Sequence, residues 1–64
     1  MKIGDRVKVI TNIYHNGLNL KDQYGIISGR IIFFKDKPPA AYYVDFEFIP
    51  DALPIKSKSL EFIR

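Results

Sequence analysis

A single histidine, His15, is the one imidazole in these 64 residues and the first candidate for moving a proton. As a general base it would need a nucleophile to serve. The three serines, Ser28, Ser57 and Ser59, stand in strand and turn contexts with no supporting motif around them. Asp45 and Glu47 lie two apart and so point the same way from a strand. Two carboxylates in that arrangement could exchange protons or hold a hard cation, but a solvated strand face needs the same pattern. There is no cysteine, which excludes disulfides and thiolate metal sites, and one histidine excludes a multi-histidine zinc centre. Neither G-x-x-x-x-G-K-[ST] nor G-x-G-x-x-G occurs. The expectation is a protein that binds rather than catalyses, with no cofactor.

Binding chemistry concentrates in "IIFFKDKPPAAYYVDFEF", Ile31 to Phe48, which holds six of the nine aromatic residues. Adjacent residues on a strand face opposite sides, so Phe33-Phe34 and Tyr42-Tyr43 cannot all enter one core. Taking Ile27, Ile31 and Phe33 as inward leaves Ile32 and Phe34 outward, with Tyr43 joining them across the hairpin. Arg30 and Lys35 flank that set. Two readings stay open. Either residues 11–24 fold over the outward rings as a lid, or the rings form an exposed patch of the kind that marks interaction sites. Tyr14-His15-Asn16-Gly17 is the second candidate, a loop tip that could serve as a contact. The predicted partner-binding residues are therefore Tyr14, His15, Arg30, Ile32, Phe34, Lys35 and Tyr43. Basic groups beside exposed rings also suit single-stranded nucleic acid, although Asp36, Asp45, Glu47 and Asp51 dilute the positive field.

The elements that must position these residues are strands. Arg6 to Val9 alternates basic and β-branched residues, placing Val7 and Val9 inward. Residues 11–24 lack a sustained period; Asn16-Gly17 is a turn signal, and Ile13, Leu18 and Leu20 would tie the loop down. "GIISGRIIFF" is a long strand interrupted by Gly29, which predicts a bulge or bend. Lys35 to Pro39 must be a loop. "AYYVDFEF" alternates, with Tyr42, Val44, Phe46 and Phe48 on one face. Leu53 and Ile55 suit a short strand, Ser57 to Ser59 a tight or 3₁₀ turn, and "SLEFI" a last strand with Leu60 and Phe62 inward. No helical period appears, and Pro50 and Pro54 rule out a regular helix near the end. The pattern predicts one domain over residues 1–64, all-β, a small five-stranded SH3-like barrel, partly open. Its expected core is Val7, Val9, Ile27, Ile31, Phe33, Val44, Phe46, Leu60 and Phe62.

Net charge is +3, ten basic against seven acidic residues, which permits an acidic protein or nucleic acid as partner. No apolar run approaches a membrane span, and the opening "MKIGDRVKVI" carries no signal-peptide core, so a cytoplasmic location is expected. Apolar content of 47% is ordinary for a folded domain.

The frame "IGDRVKVI", then "YGIISGRI", "YYVDFE" and "SLEFI", resembles SH3-like small barrels, including translation-associated modules of the KOW type. A narrower resemblance is to the variable subunit of ferredoxin–thioredoxin reductase. It rests on Gly4-Asp5-Arg6-Val7, Tyr14-His15, Leu20-Lys21 ahead of Gly25, Lys37-Pro38 with Ala40, Val44 and Phe46, and Leu60-Glu61. The basic first strand is also similar to that of the SH3-like accessory subunit of photosystem I. These resemblances imply a non-catalytic subunit that binds and stabilises or regulates a larger protein. A KOW-like nucleic-acid-binding module is the alternative.

Overall fold

Seven strands form, and five of them make one antiparallel sheet. The computed structural model describes all 64 residues. In chain order the strands are β1 (Arg6–Val9), β2 (Tyr14–His15), β3 (Leu18–Asn19), β4 (Tyr24–Ile31), β5 (Ala41–Asp45), β6 (Leu53–Lys56) and β7 (Leu60–Ile63). The sheet runs β6-β5-β4-β1-β7, while β2 and β3 pair only with each other. A 3₁₀ turn, Ser57–Ser59, is the only helical element.

The two edge strands of this sheet, β6 and β7, are joined by that three-residue turn. Flat, five strands would hold their edges about 19 Å apart, four spacings of 4.8 Å. Four backbone steps reach at most about 14 Å when extended, and less in a 3₁₀ turn. The sheet must therefore curl, yet no ladder joins β6 to β7, so it stays open. The curl wraps the sheet around Val7, Val9, Leu20, Ile27, Tyr42, Val44, Phe46, Ile55 and Leu60.

β4 holds the sheet together because it pairs along its first half with β1 and along most of its length with β5. Gly25 faces inward on it. A Cβ there would overlap Val44 Cγ1 and stand 2.9 Å from the Asp45 carbonyl oxygen, so glycine is what lets β5 approach. The predicted irregularity at Gly29 is a bulge. Ile27 lies opposite Val44, but Gly29 lies opposite Tyr43, which leaves Ser28 as the extra residue.

The observed inward set differs from the predicted one. Strict alternation carried through Gly29 makes Ile31 and Phe33 inward. The bulge shifts the register, so that beyond it Arg30 lies opposite the buried Tyr42 and Ile31 opposite Ala41, while burial still alternates with Arg30 exposed. Ile31 is half-buried, and β4 ends there. Phe33 lies past the strand and is 74% exposed, so it is no core residue. Two other expected inward rings are exposed as well. Phe48 follows the end of β5 and Phe62 sits on edge strand β7, where only Leu60 reaches the core. Leu20, Tyr42 and Ile55 complete the core in their place.

Residues 11–24 are not a plain loop. Asn16 and Gly17 both adopt positive φ, 50° and 81°, and close a two-residue hairpin between His15 and Leu18. Such a turn needs left-handed backbone at both central positions, which asparagine and glycine supply. After the hairpin, Leu20 enters the core while Leu18 stays exposed. The segment is bound back to β1 by Asp22 N–H to Val9 O at 2.8 Å and Val9 N–H to Gln23 O at 3.0 Å.

Candidate functional site

The connection from β4 to β5 carries the largest exposed apolar groups. Lys37 N–H donates to Phe34 O at 3.1 Å to form its turn, and Ala40 N–H donates to Ile31 O at 3.0 Å to close its base. Between these bonds Ile32, Phe33 and Phe34 are consecutive and 49%, 74% and 66% exposed. No regular ladder is available to them, so no neighbouring strand covers them. The Lys37 ammonium stands 5.6 Å from the centre of the Phe34 ring, a cation–π distance.

Tyr43 is exposed on the outer face of β5, opposite Gly29 and Pro54. It does not share its face with Ile32 in the way simple alternation predicts; its β4 neighbours on that face are Gly29 and Ile31. Arg30 at the end of β4 and Lys35 in the turn are both exposed. Arg30, Ile32, Phe34, Lys35 and Tyr43 thus lie at or near one end of the β4–β5 hairpin.

The lid is not formed. Residues 10–23 leave from the β1 end of β4, and residues 32–40 leave from its other end. The apolar groups of the first segment, Ile13 and Leu20, turn onto the core instead. Tyr14 and His15 stand on the separate β2–β3 hairpin, Tyr14 exposed and His15 half-buried. His15 Nε2 lies 3.4 Å from Asn16 Nδ2. Tyr14 and His15 thus belong to a different sheet from Arg30 and Tyr43, while Ile32, Phe34 and Lys35 lie in the β4–β5 connection.

The sequence separates Lys56 and Lys58 from the aromatic stretch, but the fold unites them. Lys56 lies opposite Ala41. Ser57 N–H donates to Ala40 O at 3.1 Å, and Ser57 Oγ donates to Pro39 O at 2.6 Å. The two segments that meet there, 30–41 and 56–58, hold Arg30, Lys35, Lys37, Lys56 and Lys58. Asp36 is the only carboxylate in those same segments.

Elsewhere the surface is less directed. Arg6 lies 4.9 Å over the Tyr24 ring and Lys8 pairs with Asp22 at 3.6 Å. Asp45 and Glu47 line a shallow hollow of about 200 Å³ beside Arg6 and Tyr24. No group of three or more His, Cys, Asp or Glu side chains is placed to hold a metal. No helix is long and apolar enough to cross a membrane. No family model, curated protein or solved structure matches this chain.

Proposed function

We propose that this chain is a cytoplasmic, non-enzymatic accessory or adaptor module with an SH3-like barrel, which binds and stabilises or regulates a larger protein. The observation that carries the reading is the exposure of Ile32, Phe34 and Tyr43 beside Arg30 and Lys35. Apolar anchors within a polar rim are the usual anatomy of a protein interface. Aromatic residues dominate the energy of such interfaces. The three-residue link between the sheet's edge strands supports the SH3-like assignment, because it forces the curl such barrels have. The resemblance to the variable subunit of ferredoxin–thioredoxin reductase belongs to the same proposal and suggests a redox or photosynthetic partner.

A second reading, a KOW-like nucleic-acid-binding module, is favoured by the cations gathered around exposed rings. Affinity capture with the chain as bait, with and without nuclease, separates the two. The adaptor reading expects a protein partner that survives nuclease and is lost with Phe34→Ala or Tyr43→Ala at unchanged Tm. The loss should be roughly 2 kcal/mol or more per ring. Capture that vanishes on nuclease treatment transfers the proposal to nucleic acid. A steep fall of oligonucleotide affinity with salt would then be expected.

A further inference from the structure

Three consecutive large apolar residues lead into the turn of the β4–β5 connection, outside any strand. On a strand or helix, neighbouring anchors share one face and fit one groove. Ile32, Phe33 and Phe34 precede the Lys35–Asp36 apex of the turn closed by Lys37 N–H and Phe34 O, and all three are exposed and share no strand face. A fluid apolar medium accepts such a tip from every side.

The charge around the tip is equally one-sided. The segments at this end hold five cations, Arg30, Lys35, Lys37, Lys56 and Lys58, and one carboxylate, a net +4. The rest of the chain holds five cations and six carboxylates, a net −1. The only ion pair in the molecule, Lys8 with Asp22, lies outside this end, so none of the five cations is neutralised by a carboxylate.

From these two observations we infer that residues 32–37 form a docking tip for the anionic surface of a lipid bilayer. Ile32, Phe33 and Phe34 enter the headgroup–acyl boundary, and the five cations face lipid phosphates and carboxylates. Neither part suffices alone: shallow apolar insertion is reversible, and a second, electrostatic signal is what makes such anchoring stable. Lysine and arginine stems can lie along the apolar zone while their charges reach the headgroups. Nucleic acid fits the charge but fits the tip less well. Ile32 has no ring to stack, and Lys37 already stands over Phe34, where a base would sit. The inference goes beyond the adaptor reading and does not depend on it, since a vesicle assay contains no partner protein.

The test is co-sedimentation of the purified chain with vesicles of phosphatidylcholine, alone or with one third phosphatidylserine, at low and physiological salt. Binding is expected to the anionic vesicles and to be at least about tenfold weaker to the neutral ones. Paired Phe33→Ser and Phe34→Ser should lower it by about tenfold or more, because insertion is lost. Both side chains are exposed, so circular dichroism and Tm should not change. Lys56→Gln and Lys58→Gln should each weaken binding about fivefold, the effect of one surface cation. Absence of binding to anionic vesicles at low salt overturns the inference. So does binding that the two serine substitutions leave intact. Loss of oligonucleotide binding in these variants, with no vesicle binding by the wild type, assigns the tip to nucleic acid instead.

Discussion

Phe33 and Phe46 do opposite work, and their exposure predicts how differently they respond to substitution. Phe46 is 3% exposed in the core and Phe33 is 74% exposed at the loop tip. Phe46→Ala should cost about 3–5 kcal/mol, from lost burial and the cavity left behind. In a domain this small that approaches the whole folding stability, and chemical denaturation should find the variant largely unfolded. Phe33→Ala should change stability by no more than about 0.5 kcal/mol in the same measurement. Gly25→Ala belongs with Phe46, because its methyl would overlap Val44 and crowd the Asp45 carbonyl in the ladder's interior. The expected outcome is a marked fall in the denaturation midpoint, whereas at Gly29 a Cβ meets mainly the Tyr43 ring, at 3.2 Å.

At the scale of elements, the turns carry the specificity. Asn16 and Gly17 close β2–β3 with left-handed backbone, and Gly17 has open space around it. Gly17→Ala should therefore destabilise through backbone conformation alone, by about 1 kcal/mol. Hydrogen exchange should localise the effect to the hairpin and to its tie at Leu20 N–H and Ile13 O. The bulge is the more consequential irregularity. Removing Ser28 would restore simple pairing between β4 and β5, and would shift the residues before it by one register step against those after it. NMR contacts in a Ser28-deleted chain should show either a slipped β4–β5 ladder or no stable fold. A ladder identical to the parent's would contradict the assignment of Ser28 as the extra residue.

For the molecule as a whole, the critical feature is the short link between opposite edges of the sheet. β7 pairs with β1 along Arg6–Val9, and Leu60 enters the core beside it. Ile10 N–H donates to Ser59 O at 2.8 Å, so the 3₁₀ turn is also bonded to the chain just past β1. Deleting residues 60–64 should therefore abolish folding rather than fray an end. A dispersed NMR spectrum from the truncated chain would show that the remaining strands hold the curl without β7. The charge division between the two ends is a property of the same scale. It appears only when Lys56 and Lys58 are brought beside the β4–β5 connection.

Much of this architecture was legible in the chain itself. Alternation placed Val7, Val9, Val44 and Phe46 inward, because a strand has a period of two wherever its ladder is regular. Asn16-Gly17 marked a turn, proline excluded a central strand at Pro38-Pro39, and Gly29 announced an irregularity. Counting residues could not say which way that irregularity would throw the following side chains. A bulge adds a residue to one strand only, and its effect on facing depends on the partner's register. Phe33 failed because β4 ends at Ile31, leaving no ladder to hold the next side chains, and Ile31 itself is only half-buried. Phe48 and Phe62 failed for another reason: alternation tells which side a residue faces, not whether the sheet still has neighbours there to cover it. The basic, apolar end lies furthest from anything local sequence could show. It sets residues 56–58 against residues 39–41, at the foot of the β4–β5 connection, through two hydrogen bonds from Ser57 and the pairing of β5 with β6. Such contacts between separate segments exist only once β5 and β6 have paired.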